Sequence, residues 1–151
     1  MDRCALAYQY HKEGWNCAQA VAGACAGLAG RKPEEVMPLM GGFGGGFGAS
    51  REEACGALSG GVLILSLCFP HAQGADQAAK KNLYRIIKEY RQRFSDVFGH
   101  TRCGELLQAK PGVTEKNPAA QRLGITAHCD NMVVTAVELL EKLVEEERTG
   151  A

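Results

Sequence analysis

Between residues 41 and 48 the chain reads Gly41-Gly42-Phe43-Gly44-Gly45-Gly46-Phe47-Gly48, a stretch that neither a helix nor a strand tolerates. It must form a loop, and whatever precedes and follows must fold as separate elements. Glycine density of this kind lets backbone amides approach a bound group that side chains would block. Directly after the loop comes Cys55-Gly56-Ala57-Leu58-Ser59-Gly60-Gly61, so the helix that follows would carry a cysteine in its second turn.

Around this interruption, apolar residues recur at helical spacing, and no stretch alternates with period two. The expected fold is therefore all-α: a single-domain helical bundle, residues 1–151, of five to seven helices with a glycine-rich loop. A first helix is expected over about Arg3–His11. A second starts at Asn16 as N-cap and runs to Ala29, where Gly30 stops it. Pro33 opens a short helix to about Met40. Ser50-Arg51-Glu52-Glu53 reads as a capping box that launches an apolar helix to Cys68, ahead of Pro70. A long amphipathic helix follows over Asp76–Phe98, with Leu83, Ile86, Ile87, Tyr90, Phe94 and Val97 on one face. Cys103–Leu107 makes one further turn. Lys110–Gly124, rich in Pro, Gly, Asn and Lys, reads as a surface connection, and Thr126–Glu147 as the last helix.

Seventeen basic and seventeen acidic side chains cancel, which argues against a dominant attraction to nucleic acid or an anionic membrane. The longest apolar run, Val62 to Phe69, is broken by Ser66 and too short to span a bilayer, and the charged N-terminus does not read as a signal peptide. A soluble, cytoplasmic protein is the expectation. Seven cysteines in such a chain point to metal binding or redox chemistry rather than to a disulfide framework. The odd number leaves one thiol free or paired between chains, so a homodimer stays open. No Cys-x-x-Cys occurs, which removes the thioredoxin-type pair, the zinc ribbon and c-type haem attachment. The glycine loop lacks the Gly-Lys-Ser/Thr ending and the Gly-x-Gly-x-x-Gly frame of nucleotide-binding loops.

Taken in order, Cys17, the glycine loop, Cys55-Gly56-Ala57-Leu58-Ser59-Gly60, Cys103 and Cys129 resemble a family of small redox-active proteins named for four spaced cysteines and a Cys-Gly-Ala-x-x-Gly motif. The likeness extends from about Cys17 to the end of the last helix. It implies that Cys17, Cys55, Cys103 and Cys129 form one site, and that Gly44, Gly45 and Gly46 bring backbone close to a cofactor there. Four thiolates on separate helices suit a [2Fe–2S] or [4Fe–4S] cluster or a tetrahedral zinc ion. Without metal, two of them would alternate between dithiol and disulfide. The functions that follow are an electron carrier, a thiol–disulfide protein, or an interaction module with structural zinc. The partner would be a redox protein or a small-molecule thiol or electron donor.

A cysteine on an apolar helical face is also an ordinary small core residue. Cys25 lies about 12 Å along the axis from Cys17, too far to share an ion with it. Cys4 and Cys68 fall outside the pattern, and all three are expected to be structural. Helix starts at Cys17, Cys103 and Cys129 would favour the thiolate through the helix dipole. His128, beside Cys129, is an alternative ligand, a neighbour that tunes the thiolate, or an exposed helix-capping side chain.

Overall fold

Three helix starts of this chain are set by side chains that satisfy free amides, as the computed structural model, which describes residues 1–150, shows. Asp2 accepts from the Ala5 amide at the head of α1 (Arg3–Lys12). Asn16 accepts from Gln19, whose side chain reaches back to the Asn16 amide, at the head of α2 (Cys17–Cys25). Asp76 caps α5 (Gln77–Phe98) through the Ala79 amide, and Gly99 closes that helix at φ 80°. The expected boundaries of α5 hold.

The remaining helices are α3 (Pro33–Val36), α4 (Gly56–Cys68), α6 (Cys103–Ala109), α7 (Pro118–Arg122) and α8 (His128–Thr149). Among the described residues there is no strand, so the fold is all-α. Its eight helices exceed the five to seven expected, because the connection at Lys110–Gly124 contains α7. Ala119 and Ala120 of α7 are buried against α8. Ahead of them, the buried Asn117 donates to Thr135 Oγ1 (3.0 Å) and accepts from the Thr114 amide (3.0 Å). A polar network thus fastens what the composition presented as a surface loop. Two other helices end early: α2 tightens into a 3₁₀ turn over Ala26–Ala29, and Pro38 breaks the third into α3 and a 3₁₀ turn at Pro38–Met40.

α4 lies at the centre, packed on α2, α5 and α8, while α1 crosses α2 and α8. Its sequence, apolar all round, requires such a position. α5 docks through Ile86, Tyr90 and Phe94, all fully buried, each contributing on the order of 2 kcal/mol of apolar burial. The Tyr90 hydroxyl donates to the Ala57 carbonyl (3.3 Å) in the first turn of α4.

The start of α4 differs from expectation in a way that matters for the site. No capping box forms at Ser50; its hydroxyl instead donates to the Gly46 carbonyl (2.5 Å). The next residues pair with the segment before α6. Cys55 donates to Thr101 O, Cys103 to Glu53 O and Gly104 to Arg51 O, each at 2.8 Å, around an antiparallel bridge between Ala54 and Arg102. The helix can begin only once this pairing ends, so Cys55 is its N-cap.

Candidate redox site

All four cysteines of the motif stand at helix starts. Cys17 and Cys103 are the first residues of α2 and α6, Cys129 is the second of α8, and Cys55 caps α4 rather than lying in its second turn. The bridge at Ala54–Arg102 sets the entries of α4 and α6 side by side, and α2 and α8 flank α4. As a result Cys17, Cys55, Cys103 and Cys129 line one cavity of about 260 Å³. Leu106, Leu107 and Met132 make much of its remaining wall apolar. Cys4, Cys25 and Cys68 are elsewhere: Cys25 is fully buried in the core, and the Cys4 thiol donates to the Val134 carbonyl (3.6 Å).

Two glycines make the approach of the four cysteines feasible. A Cβ on Gly56 would overlap the Cys17 sulfur, so the glycine of the motif clears the space in which that thiol sits. A Cβ on Gly46 would stand 2.7 Å from Cys103 Cβ and 2.9 Å from Arg51 Cα. The loop carries a run of five positive φ angles, Gly45 to Ala49 (63°, 71°, 69°, 58° and 61°), with two non-glycine residues in it. Left-handed residues normally occur singly. Here the run is held by Ala49 N donating to Gly44 O (3.1 Å) and Arg51 N to Gly45 O (2.8 Å). Gly45 reaches the cavity wall, Gly46 backs Cys103, and Gly44 packs against Asn16, away from the cavity. Phe43 and Phe47 meet edge to face at 5.3 Å on the outer side, both part exposed.

Burial decides the protonation of the free thiols. It pushes Cys55 up to about 12, helped by the neighbouring Cys17, against the pull of the Ala57 and Leu58 amides. Cys103 and Cys129 are also raised, by burial first and then by their cysteine neighbours, with Arg51 acting the other way. Desolvation therefore outweighs the helix start at these three positions, contrary to the thiolate expected at Cys103 and Cys129. The mutual influence of the cysteines reflects their proximity. Even so, among the described residues no three His, Cys, Asp or Glu side chains stand at the spacing of a single-ion chelate.

His128 is half-buried and does not line the cavity. The residue that anchors this end of α8 is Asp130, which accepts from His11 Nδ1 (2.6 Å) and pairs with Lys12 Nζ (3.0 Å). Burial raises its carboxyl, but the His11 and Lys12 contacts prevail and hold it below the usual value. Arg51 is the one charged side chain among the described residues on the cavity wall. Motif reading passed over it, since it sat inside an apparent capping box; its flanking glycine loop was the only available signal.

Among the described residues, no helix is long and apolar enough to cross a membrane. Searches of curated proteins and of solved structures return no match. The family model described as "Putative redox-active protein (C_GCAxxG_C_C)" matches residues 15–143, from just before Cys17 to well into α8. On that match, spanning most of the sequence and all four cavity cysteines, the chain belongs to the C_GCAxxG_C_C family.

Proposed function

We propose that Cys17, Cys55, Cys103 and Cys129 together hold one iron–sulfur-type centre, and that the protein is a small cytoplasmic electron carrier. The observation that carries this reading is the shared cavity: four thiols from four separate helix starts line it. Such a centre supplies one-electron chemistry when bound. The residues present suit it. The donor set is four sulfurs, and Gly56 and Gly46 clear space beside two of them. A cavity of about 260 Å³ lined by four thiols has room for a multi-atom cluster.

The chain's own contribution follows from its geometry. The starts of α2, α4 and α8 bring free amides and the positive ends of helix dipoles to the cavity, which stabilises an anionic group there. Leu106 and Met132, both buried, limit water at the wall. Because burial keeps Cys55, Cys103 and Cys129 as thiols, loading must release their protons, and affinity for iron rises with pH. A redox partner protein or a small-molecule donor would exchange the electrons.

The serine series tests this. Cys→Ser at any one of the four cavity positions should strip or strongly weaken the centre, while serine at Cys4, Cys25 or Cys68 should leave it bound. Loss of reduction activity at only two of the four, with a trapped mixed disulfide, would instead establish a thiol–disulfide protein.

A further inference from the structure

Arg51 is placed as a strained and unpaired cation at the mouth of the cysteine cavity. Its φ of 66° lies in the left-handed region, which strains a non-glycine residue. It shares that conformation with the loop residues Gly45 to Ala49 just before it. Both of its peptide groups are pinned, the amide to Gly45 O and the carbonyl to the Gly104 amide, each at 2.8 Å. The backbone is fixed and the side chain is left free. Among the described residues the guanidinium has no ion-pair or hydrogen-bond partner, and the acid nearest in sequence to Gly104, Glu105, is taken by Arg102 and His100. The residue is exposed while lining the cavity, whose neighbouring wall is Ala49, Leu107 and the thiols. An unpaired guanidinium beside a small apolar surface is the pattern that recognises a carboxylate with a short apolar body.

We propose that Arg51 makes the mouth of this cavity a binding site for small carboxylate-bearing molecules, and so selects which reactants reach the cysteines. The inference rests on the cavity as a site and not on which group the thiols hold. No covalent step is implied; Arg51 binds and orients.

The test uses the reduced, metal-free protein, so that failure of the iron–sulfur reading leaves it intact. Rates of alkylation by iodoacetate and by iodoacetamide are measured cysteine by cysteine with peptide mass spectrometry. Both reagents attack the same thiolate, so their rate ratio cancels thiol ionisation and reports only the charge preference. The iodoacetate-to-iodoacetamide ratio at Cys103 and Cys129 should fall about two- to fivefold in Arg51→Gln, the effect of a partly screened charge, and should persist in Arg51→Lys. At Cys68, remote from the cavity, it should not change. Arg51→Gly, which removes the charge and relieves the backbone, should behave as Arg51→Gln does and serves if the glutamine variant folds poorly. Butyrate, but not butyramide, should slow iodoacetamide at Cys103 and Cys129 in the unaltered protein and in Arg51→Lys, and not in Arg51→Gln. Equal ratios with and without the arginine, no protection by butyrate, or failure of both reagents to reach the cavity cysteines would each overturn the proposal.

Discussion

The sulfur of Cys17 occupies the space into which a Cβ on Gly56 would project. This single relationship explains why a glycine follows the cysteine of the motif: the residue after Cys55 must yield its side-chain volume to a thiol from another helix. One turn later Gly60 serves a different end, since a Cβ there would meet the Ala18 carbonyl at 2.5 Å. Gly56→Ala should therefore disable the site more than the fold, with iron–sulfur content lost while circular dichroism keeps its helical signal. Gly60→Ala forces the backbones of α2 and α4 apart and should lower stability by about 1–3 kcal/mol. Identical losses of stability and of cofactor in both variants would count against this division.

The glycine loop offers a second contrast. Gly46 and Gly48 share a left-handed backbone, but only Gly46 backs onto Cys103, at 2.7 Å from its Cβ, whereas Gly48 faces open space. Gly48→Ala should cost only the conformational strain, about 1–2 kcal/mol, and leave the centre bound. Gly46→Ala should add displacement of Cys103 and lose the centre. Urea unfolding and cofactor content, measured side by side, separate the two effects.

Alkali should destabilise the metal-free, reduced protein. Cys55 and Cys4 are pushed by burial from the ordinary value of 9.0 to about 12. Above pH 9 the unfolded chain loses these protons while the folded chain keeps them, so the folded state binds more protons and stability falls as pH rises toward 12. Each thiol contributes at most about 1.4 kcal/mol per pH unit in that window. Urea midpoints at pH 8 and pH 10 should show the decline, and Cys55→Ser or Cys4→Ser should flatten it. A midpoint that rises over the same interval would contradict the buried-thiol account.

Stability away from the site depends on Asn117. Its amide links Thr114 to Thr135, and Thr135 in turn donates to Asn131 Oδ1 (3.1 Å). Asn117→Ala removes the donor to the buried Thr135 hydroxyl and should cost about 1–3 kcal/mol in thermal or urea unfolding, with the cavity cysteines unaltered in their reactivity.

Local signals carried much of the fold. The cap at Asp76, the apolar stripe through Ile86, Tyr90 and Phe94, and the stop at Gly99 place α5 correctly, because each signal acts within one helix. The same local logic failed at Ser50, where a valid capping pattern loses to pairing of residues 51–55 with residues 101–104, a contact between segments about fifty positions apart. It failed again at α7, whose Ala119 and Ala120 are too small to show periodicity and which is held by α8 rather than by propensity. At the site, the motif order picked out four cysteines that share a cavity. What no pattern could supply was the balance of burial against helix dipole at each thiol, or the position of Arg51, since both depend on how separate elements meet.

The central claim, that four cysteines of one cavity hold a single iron–sulfur-type centre, is met most directly by iron and acid-labile sulfide analysis of anaerobically purified protein, read together with its visible spectrum. The account expects iron and sulfide in equal amounts per chain, with thiolate-to-iron charge-transfer bands that vanish in Cys17→Ser, Cys55→Ser, Cys103→Ser and Cys129→Ser alike. Zinc without sulfide, or a metal-free and colourless protein after anaerobic reconstitution with iron and sulfide, would contradict it.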